Sequence, residues 1–260
     1  MGDRIDINGH PTWVDQLDCE GGGSGDTVLF LHGGLSNSDT ILDSIGGAIR
    51  AQYRVVAFDR RGHGRTADSP APFSYDDMAA QTIAVLERVV DGPAHLVGWS
   101  DGGIISLLVA LQRPELVNRM VVIGANFHFE GLLPIDGGGP GEDAFAMIRQ
   151  SYEERTPDGA DHFEEVAGKT FQMFASEPTM TVDDLRRIEA PTLVMVGDDD
   201  MIQLAHTVEL YESLPNGQLS VVPATSHVLP LEQPDVVADI VLRFLAAPVP
   251  PVTMMPVRRT

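Results

Sequence analysis

The pentapeptide Gly98-Trp99-Ser100-Asp101-Gly102 sets a serine between an apolar run at 94–97 and a helical run at 104–110. A serine at that junction sits on a sharp, strained turn with its hydroxyl projected outward at a helix N-terminus. The flanking glycines let backbone and helix approach without a Cβ clash. The helix dipole and its unpaired amides favour negative charge developing nearby. A glycine-rich turn with Ser100 merely capping the helix would show the same five residues. Strand, turn and helix taken together point instead to a nucleophile.

A hydroxyl attacking near neutral pH needs a general base, and histidine suits best. Of eight histidines, His227 stands on a late loop, after the run at 219–222. His10, His95, His128, His162 and His206 read as surface or packing residues. The carboxylate that orients the base should leave a strand end between serine and histidine, in the chain order Ser, Asp, His. Gly197-Asp198-Asp199-Asp200 does so, and three consecutive aspartates leave the choice open. A tetrahedral intermediate also needs hydrogen-bond donors, each worth roughly 3–4 kcal/mol. The Asp101 amide follows the nucleophile. The Gly34 amide, in His32-Gly33-Gly34 after the strand at 27–31, is the second candidate, with His32 bracing the loop.

These residues require elements to carry them. Residues 4–8 and 12–18 read as an antiparallel start, with a turn at 21–25. Further strands are expected at 27–31, 53–58, 94–98, 119–124, 192–196 and 219–222. Helices are expected at 38–50, 75–90, 102–112, 203–213 and 234–246, the second with Ser74 as N-cap. The rhythm breaks over 126–189, which holds Gly137-Gly-Gly-Pro-Gly141 and helical stretches near 144–154, 160–174 and 182–188, without a strand. Strand–helix alternation implies an α/β fold with a mostly parallel sheet and helices on both faces. Function in such sheets collects at the carboxyl ends of the strands.

Over essentially residues 1–246 the chain resembles the α/β-hydrolase fold family. His32-Gly33-Gly34, the run Phe58-Asp59-Arg60-Arg61-Gly62-His63-Gly64, the elbow at 98–102, Gly197 to Asp200, and Ser226-His227 carry the likeness. The resemblance implies an eight-stranded, mostly parallel sheet. It divides the chain into a core at 1–125 and 190–246, a small helical cap at 126–189 and a loose proline-rich tail at 247–260. It selects Asp200, three residues after the glycine, as the triad acid beside Ser100 and His227. It assigns the oxyanion hole to the backbone amides of Gly34 and Asp101. The Gly-Trp-Ser-Asp-Gly-Gly form resembles the branch that includes valacyclovir hydrolase-like esterases. Asp101 departs from the Met, Gln or Trp common after the nucleophile. Its carboxylate is expected either to turn away or to meet a cationic substrate group.

Composition narrows the partners. A formal net charge of -21 over 260 residues excludes sequence-independent nucleic-acid binding, which needs Lys and Arg against phosphates. It also disfavours anionic membranes. Lys169 is the only lysine. Cys19 is the only cysteine, so no intrachain disulfide forms and a cytoplasmic site is expected. The run from Gly62 to Ala67 echoes a dinucleotide loop, but Pro70 and Pro72 follow where a helix should open. Arg60, Arg61 and Arg65 there read as solvated or salt-bridged, and His63 as structural. No cofactor and no metal are expected. Phe127, Phe129, Phe145, Met147, Phe171, Met173 and Phe174 are expected either to line the pocket or, more often, to bury the cap's own helices.

The expected reaction is hydrolysis of a small carboxylic ester, thioester or lactone through an acyl-enzyme on Ser100. Haloperoxidase- or perhydrolase-like chemistry and carbon–carbon bond hydrolysis use the same triad and stay open. So does a different class, a catalytically silent small-ligand-binding protein.

Overall fold

Asn8 and Gly9, with φ of +55° and +83°, make a two-residue turn of the kind that joins a right-twisted hairpin. It links β1 (Gly2–Ile7) to β2 (His10–Leu17). The computed structural model describes residues 2–21, 25–133, 141–249 and 251–255. Most of the expected turn at 21–25, nearly all of the glycine–proline run at 137–141 and six of the fourteen tail residues lie outside the described residues.

The chain continues through β3 (Thr27–Leu31), α1 (Ser38–Ile41), α2 (Gly47–Arg50), β4 (Arg54–Phe58) and α3 (Tyr75–Val85). Then come β5 (Ala94–Trp99), α4 (Asp101–Gln112), β6 (Val117–Ile123), α5 (Glu142–Glu153), α6 (Phe163–Phe174) and α7 (Val182–Leu185). The last elements are β7 (Thr192–Asp199), α8 (Leu204–Ser213), β8 (Gly217–Ser226), α9 (Leu229–Glu232) and α10 (Pro234–Ala246). Wider helical turns at 42–46 and 86–90 complete the helices expected at 38–50 and 75–90. Ser74 caps α3, its hydroxyl accepting from the Asp77 amide at 3.2 Å.

The eight strands form one sheet in the order β1-β2-β4-β3-β5-β6-β7-β8. Pairing is antiparallel for β1–β2 and β2–β4 and parallel elsewhere, so β2 alone runs against the rest. This is the α/β-hydrolase fold. Alternation along each strand divides the core. Leu29, Leu31, Leu96 and Val122 face α3, α4 and α8. Val28, Phe30, Val97 and Ile123 face α1, α2 and α10.

Strands β7 and β8 run further than the apolar pattern foretells, to Asp199 and Ser226. A register shift between Gly197 and Asp199 lets the ladder resume at Asp199 opposite Ser226. Those extra residues are polar, so hydrophobicity alone does not mark them. The extension matters because Asp200 and His227 come directly after it.

Between β6 and β7 the described residues form α5, α6 and α7 and no strand. Helix α6 buries Phe163, Val166, Ala167, Thr170 and Met173, the spacing of one helical face. The segment is stitched to the loop that follows β4. Lys169 Nζ lies 2.6 Å from Asp68 Oδ2, and the His162 ring meets the same oxygen at 3.0 Å. The Tyr75 amide donates to Glu177 Oε2 at 2.8 Å, and Arg155 Nε donates to Asp39 Oδ2 at 2.9 Å. Among the described residues no helix is long and apolar enough to cross a membrane.

Candidate active site

Strand order reverses between β3 and β5, where Leu31 pairs with Gly98. Open parallel sheets bind ligands at such a switch point. The loop from His32 and the turn at Ser100 therefore leave the sheet side by side. Ser100 takes φ +54° and ψ −118°, which costs a non-glycine residue about 1–3 kcal/mol. The surroundings hold it there. Its amide donates to Ile123 O at 2.7 Å, and its carbonyl accepts from the Gly103 amide at 2.8 Å. A Cβ built on Gly98 would meet the Gly102 carbonyl, and one on Gly102 the Leu31 carbonyl.

Three distant side chains converge at this turn. His227 Nε2 lies 2.9 Å from Ser100 Oγ, and His227 Nδ1 lies 2.8 Å from Asp200 Oδ1. A carboxylate only accepts, so Nδ1 carries the proton and Nε2 offers its lone pair to the serine hydroxyl. The Ile202 amide also donates to Asp200 Oδ1, at 3.0 Å, and the Asp200 side chain is 1% exposed. Of the three aspartates, Asp198 instead accepts from the Thr225 amide at 3.2 Å, and Asp199 is exposed. Trp99 Nε1 donates to the His227 backbone carbonyl at 2.8 Å, fixing the loop that carries the imidazole.

Gly34 and Asp101 face each other across the turn. A Cβ on Gly34 would stand 2.7 Å from Asp101 Oδ2 and 2.8 Å from Phe174 Cζ. Asp101 opens α4, in the first turn where helix amides have no intrahelical acceptor. Its carboxylate is buried and turned into the protein. Oδ1 accepts from Tyr75 Oη at 2.8 Å, and Oδ2 lies 3.8 Å from Arg60 Nη2. Its cationic partner is thus internal. Burial pushes the Asp101 carboxyl up, while Arg60 and the Tyr75 hydroxyl pull it down.

Of the two expected alternatives Arg60 takes the salt-bridged one, paired with Asp101 and 0% exposed. Nη1 and Nη2 donate to the carbonyls of His32 and Gly33 at 2.6 and 2.9 Å. Burial lowers its pKa to about 10, against the opposing pull of Asp101, so it stays charged at neutral pH. His32 braces the loop, its Nδ1 bonded to Gly33 O at 2.7 Å and its Nε2 accepting from the Arg60 amide at 3.2 Å. His63 is buried, with Nδ1 at 3.0 Å from Arg61 O, and burial lowers its pKa to about 3, with Arg60 adding to the shift. His206 stacks on Phe127 with ring centroids 4.0 Å apart and accepts the Phe127 amide at 3.1 Å. Arg60 and Tyr75 were not legible as neighbours of the site, whereas Phe174 was among the side chains weighed as pocket lining. The Asp-Arg-Arg-Gly run straight after a buried strand is the one signal that could have flagged Arg60.

Phe163 and Met173 are buried among the helices at 142–185, while Met147 and Phe171 are 72% and 47% exposed. Among the described residues no three His, Cys, Asp or Glu side chains gather where they could hold a metal ion.

Comparison with known proteins places this geometry in context. A non-heme haloperoxidase of Rhodococcus erythropolis is 30% identical over 86% of this chain and 93% of its own length. A carboxylesterase of Bacillus subtilis superposes with a TM-score of 0.70 at 25% identity, covering 95% of this chain and 91% of the other. A meta-cleavage product hydrolase of Pseudomonas fluorescens superposes with a TM-score of 0.78 at 24% identity, over 94% and 97%. Residues 28–240 match the alpha/beta hydrolase family, and the chain belongs to that family.

Proposed function

We propose that the chain is a serine hydrolase that cleaves small carboxylic esters, or related thioesters and lactones, through an acyl-enzyme. The observation that carries the reading is the unbroken line from Asp200 through His227 to Ser100, at 2.8 and 2.9 Å, ending on a strained turn. Ser100 Oγ attacks the carbonyl carbon while His227 Nε2 takes its proton. Asp200 holds the tautomer and steadies the imidazolium without becoming protonated. The Gly34 and Asp101 amides receive the oxyanion. His227 returns the proton to the leaving oxygen, and water then repeats the sequence on the acyl carbon. In this reading residues 126–189 form a cap over a core of 1–125 and 190–246, with Phe174 above Gly34. The enzyme is assigned a cytoplasmic setting, in keeping with its lone cysteine.

The likeness to valacyclovir hydrolase-like esterases guides the choice of test esters. Because Asp101 is already matched by Arg60, neutral esters are the better first choice than amine-bearing ones. The test is active-site labelling with a fluorophosphonate, followed by a panel of p-nitrophenyl esters of rising chain length. Stoichiometric labelling is expected, and Ser100→Ala should abolish both labelling and turnover, with kcat falling by about 10⁴ or more. Failure of folded protein to react would instead support the silent ligand-binder.

The Rhodococcus erythropolis relative, named a haloperoxidase, favours a second reading in which hydrogen peroxide replaces water in deacylation and releases a peracid. Bromination of a reporter that needs both a carboxylic acid and peroxide separates the two.

A further inference from the structure

Peptide geometry turns the buried guanidinium into more than a structural filler. A trans peptide is planar, with its C=O and N–H pointing in opposite directions. Arg60 Nη1 donates to His32 O at 2.6 Å and Nη2 to Gly33 O at 2.9 Å. Two successive carbonyls are thereby pulled to one side of the loop. The N–H groups of Gly33 and Gly34, which share those two peptide planes, must face the other side. Ser100 lies beside this loop, its Cβ 3.4 Å from where a Cβ on Gly33 would lie.

The same guanidinium reaches the second donor. Its Nη2 lies 3.8 Å from Asp101 Oδ2, and Asp101 Oδ1 is bonded to Tyr75 Oη at 2.8 Å. Asp101 contributes its side chain to this cluster and its amide to the turn. One cation thus touches both loops that bracket the nucleophile.

We propose that Arg60 is a positioning residue for the oxyanion donors, aiming the Gly34 N–H and setting its spacing from the Asp101 N–H. The inference rests on the serine-hydrolase reading above. It depends on the planar fork of arginine, which holds two acceptors in fixed directions. A lysine ammonium carries the same charge without that geometry. The chain also explains its own departure at position 101. An aspartate is tolerated beside a developing oxyanion because its carboxylate belongs to the guanidinium behind the loop.

The test compares Arg60→Lys, which keeps charge and loses the fork, with Asp101→Asn, which keeps the fork and loses the counter-charge. Circular dichroism and thermal unfolding establish that each is folded. Kinetics use p-nitrophenyl butyrate, and a trifluoromethyl ketone that adds to Ser100 mimics the tetrahedral intermediate. In Arg60→Lys, kcat and ketone affinity should fall together by roughly 10²-fold, the scale of one lost oxyanion donor. KM should move by less than about threefold, since ground-state binding is untouched. Asp101→Asn should lose less, by roughly tenfold. Folded Arg60→Lys with the parent kcat and ketone affinity overturns the proposal, as does a loss confined to KM. Should Arg60→Lys not fold, nitrogen-15 spectra of the unaltered protein decide. Separate, slowly exchanging Nη signals for Arg60 are expected, and one rotationally averaged signal overturns the proposal. Failure of the underlying reading looks different, because the unaltered protein would then take up no fluorophosphonate at all.

Discussion

At the scale of single residues, protonation does the sorting. Asp200 Oδ1 accepts from both the His227 ring and the Ile202 amide, so it holds one tautomer in one orientation. In Asp200→Asn the new amide can donate to Nδ1, which moves the ring proton to Nε2 and blinds the base. The expected loss in kcat is roughly 10³–10⁴ with the fold intact, the scale seen when the triad carboxylate is made an amide. Fluorophosphonate labelling rates should slow in parallel, and near-parent rates would contradict the role given to Asp200. His63 shows the same logic in stability. Its folded pKa, about 3, lies below the ordinary histidine value near 6.5, chiefly through burial. The unfolded chain therefore takes up the proton first. The stability this histidine confers is present above pH 6.5 and is lost as pH falls from there toward 3. Between pH 6.5 and 5 the loss amounts to about 2 kcal/mol. Urea titrations at those two pH values should show a drop smaller by that amount in His63→Gln, and identical drops would refute the assignment.

At the scale of elements, the contrast between two glycines decides what the backbone demands. A Cβ on Gly102 would strike the Leu31 carbonyl, so α4 could no longer lie against β3. Gly102→Ala should cost about 3 kcal/mol through this overpacking, read as a lowered Tm. Gly168, on the exposed face of α6, has nothing within 4 Å of its would-be Cβ. Gly168→Ala should stabilise by about 0.8 kcal/mol through helix propensity alone, and a destabilised variant would point to a contact not seen here. Much of this layer was legible. Alternating apolar runs located the six parallel strands, and glycine spacing located the Ser100 turn. The ends of β7 and β8 were not, because polar residues extend them past a bulge. Asp200 could be separated from Asp198 and Asp199 only by resemblance, since adjacent carboxylates look alike until a ladder register aims them. Arg60 and Tyr75 meet Asp101 from elements 41 and 26 residues away in the chain, a juxtaposition no local pattern encodes.

For the whole molecule, charge and connectivity set how it meets other species. A net charge of -21 repels anionic esters before any contact is made. Raising salt from 0.01 to 0.15 M shortens the screening length from about 30 to about 8 Å. Accordingly kcat/KM for a p-nitrophenyl hemisuccinate should rise severalfold, while that for the neutral butyrate stays flat. Equal responses would mean the global field does not reach the site. The ion pair between Lys169 and Asp68 has a practical corollary. As the sole ε-amine in the chain is 10% exposed and engaged by a carboxylate, amine-directed acylating reagents find their one lysine target shielded. Adduct formation at this position, followed by mass spectrometry over time, then becomes a clock for how often α6 parts from the loop beneath it.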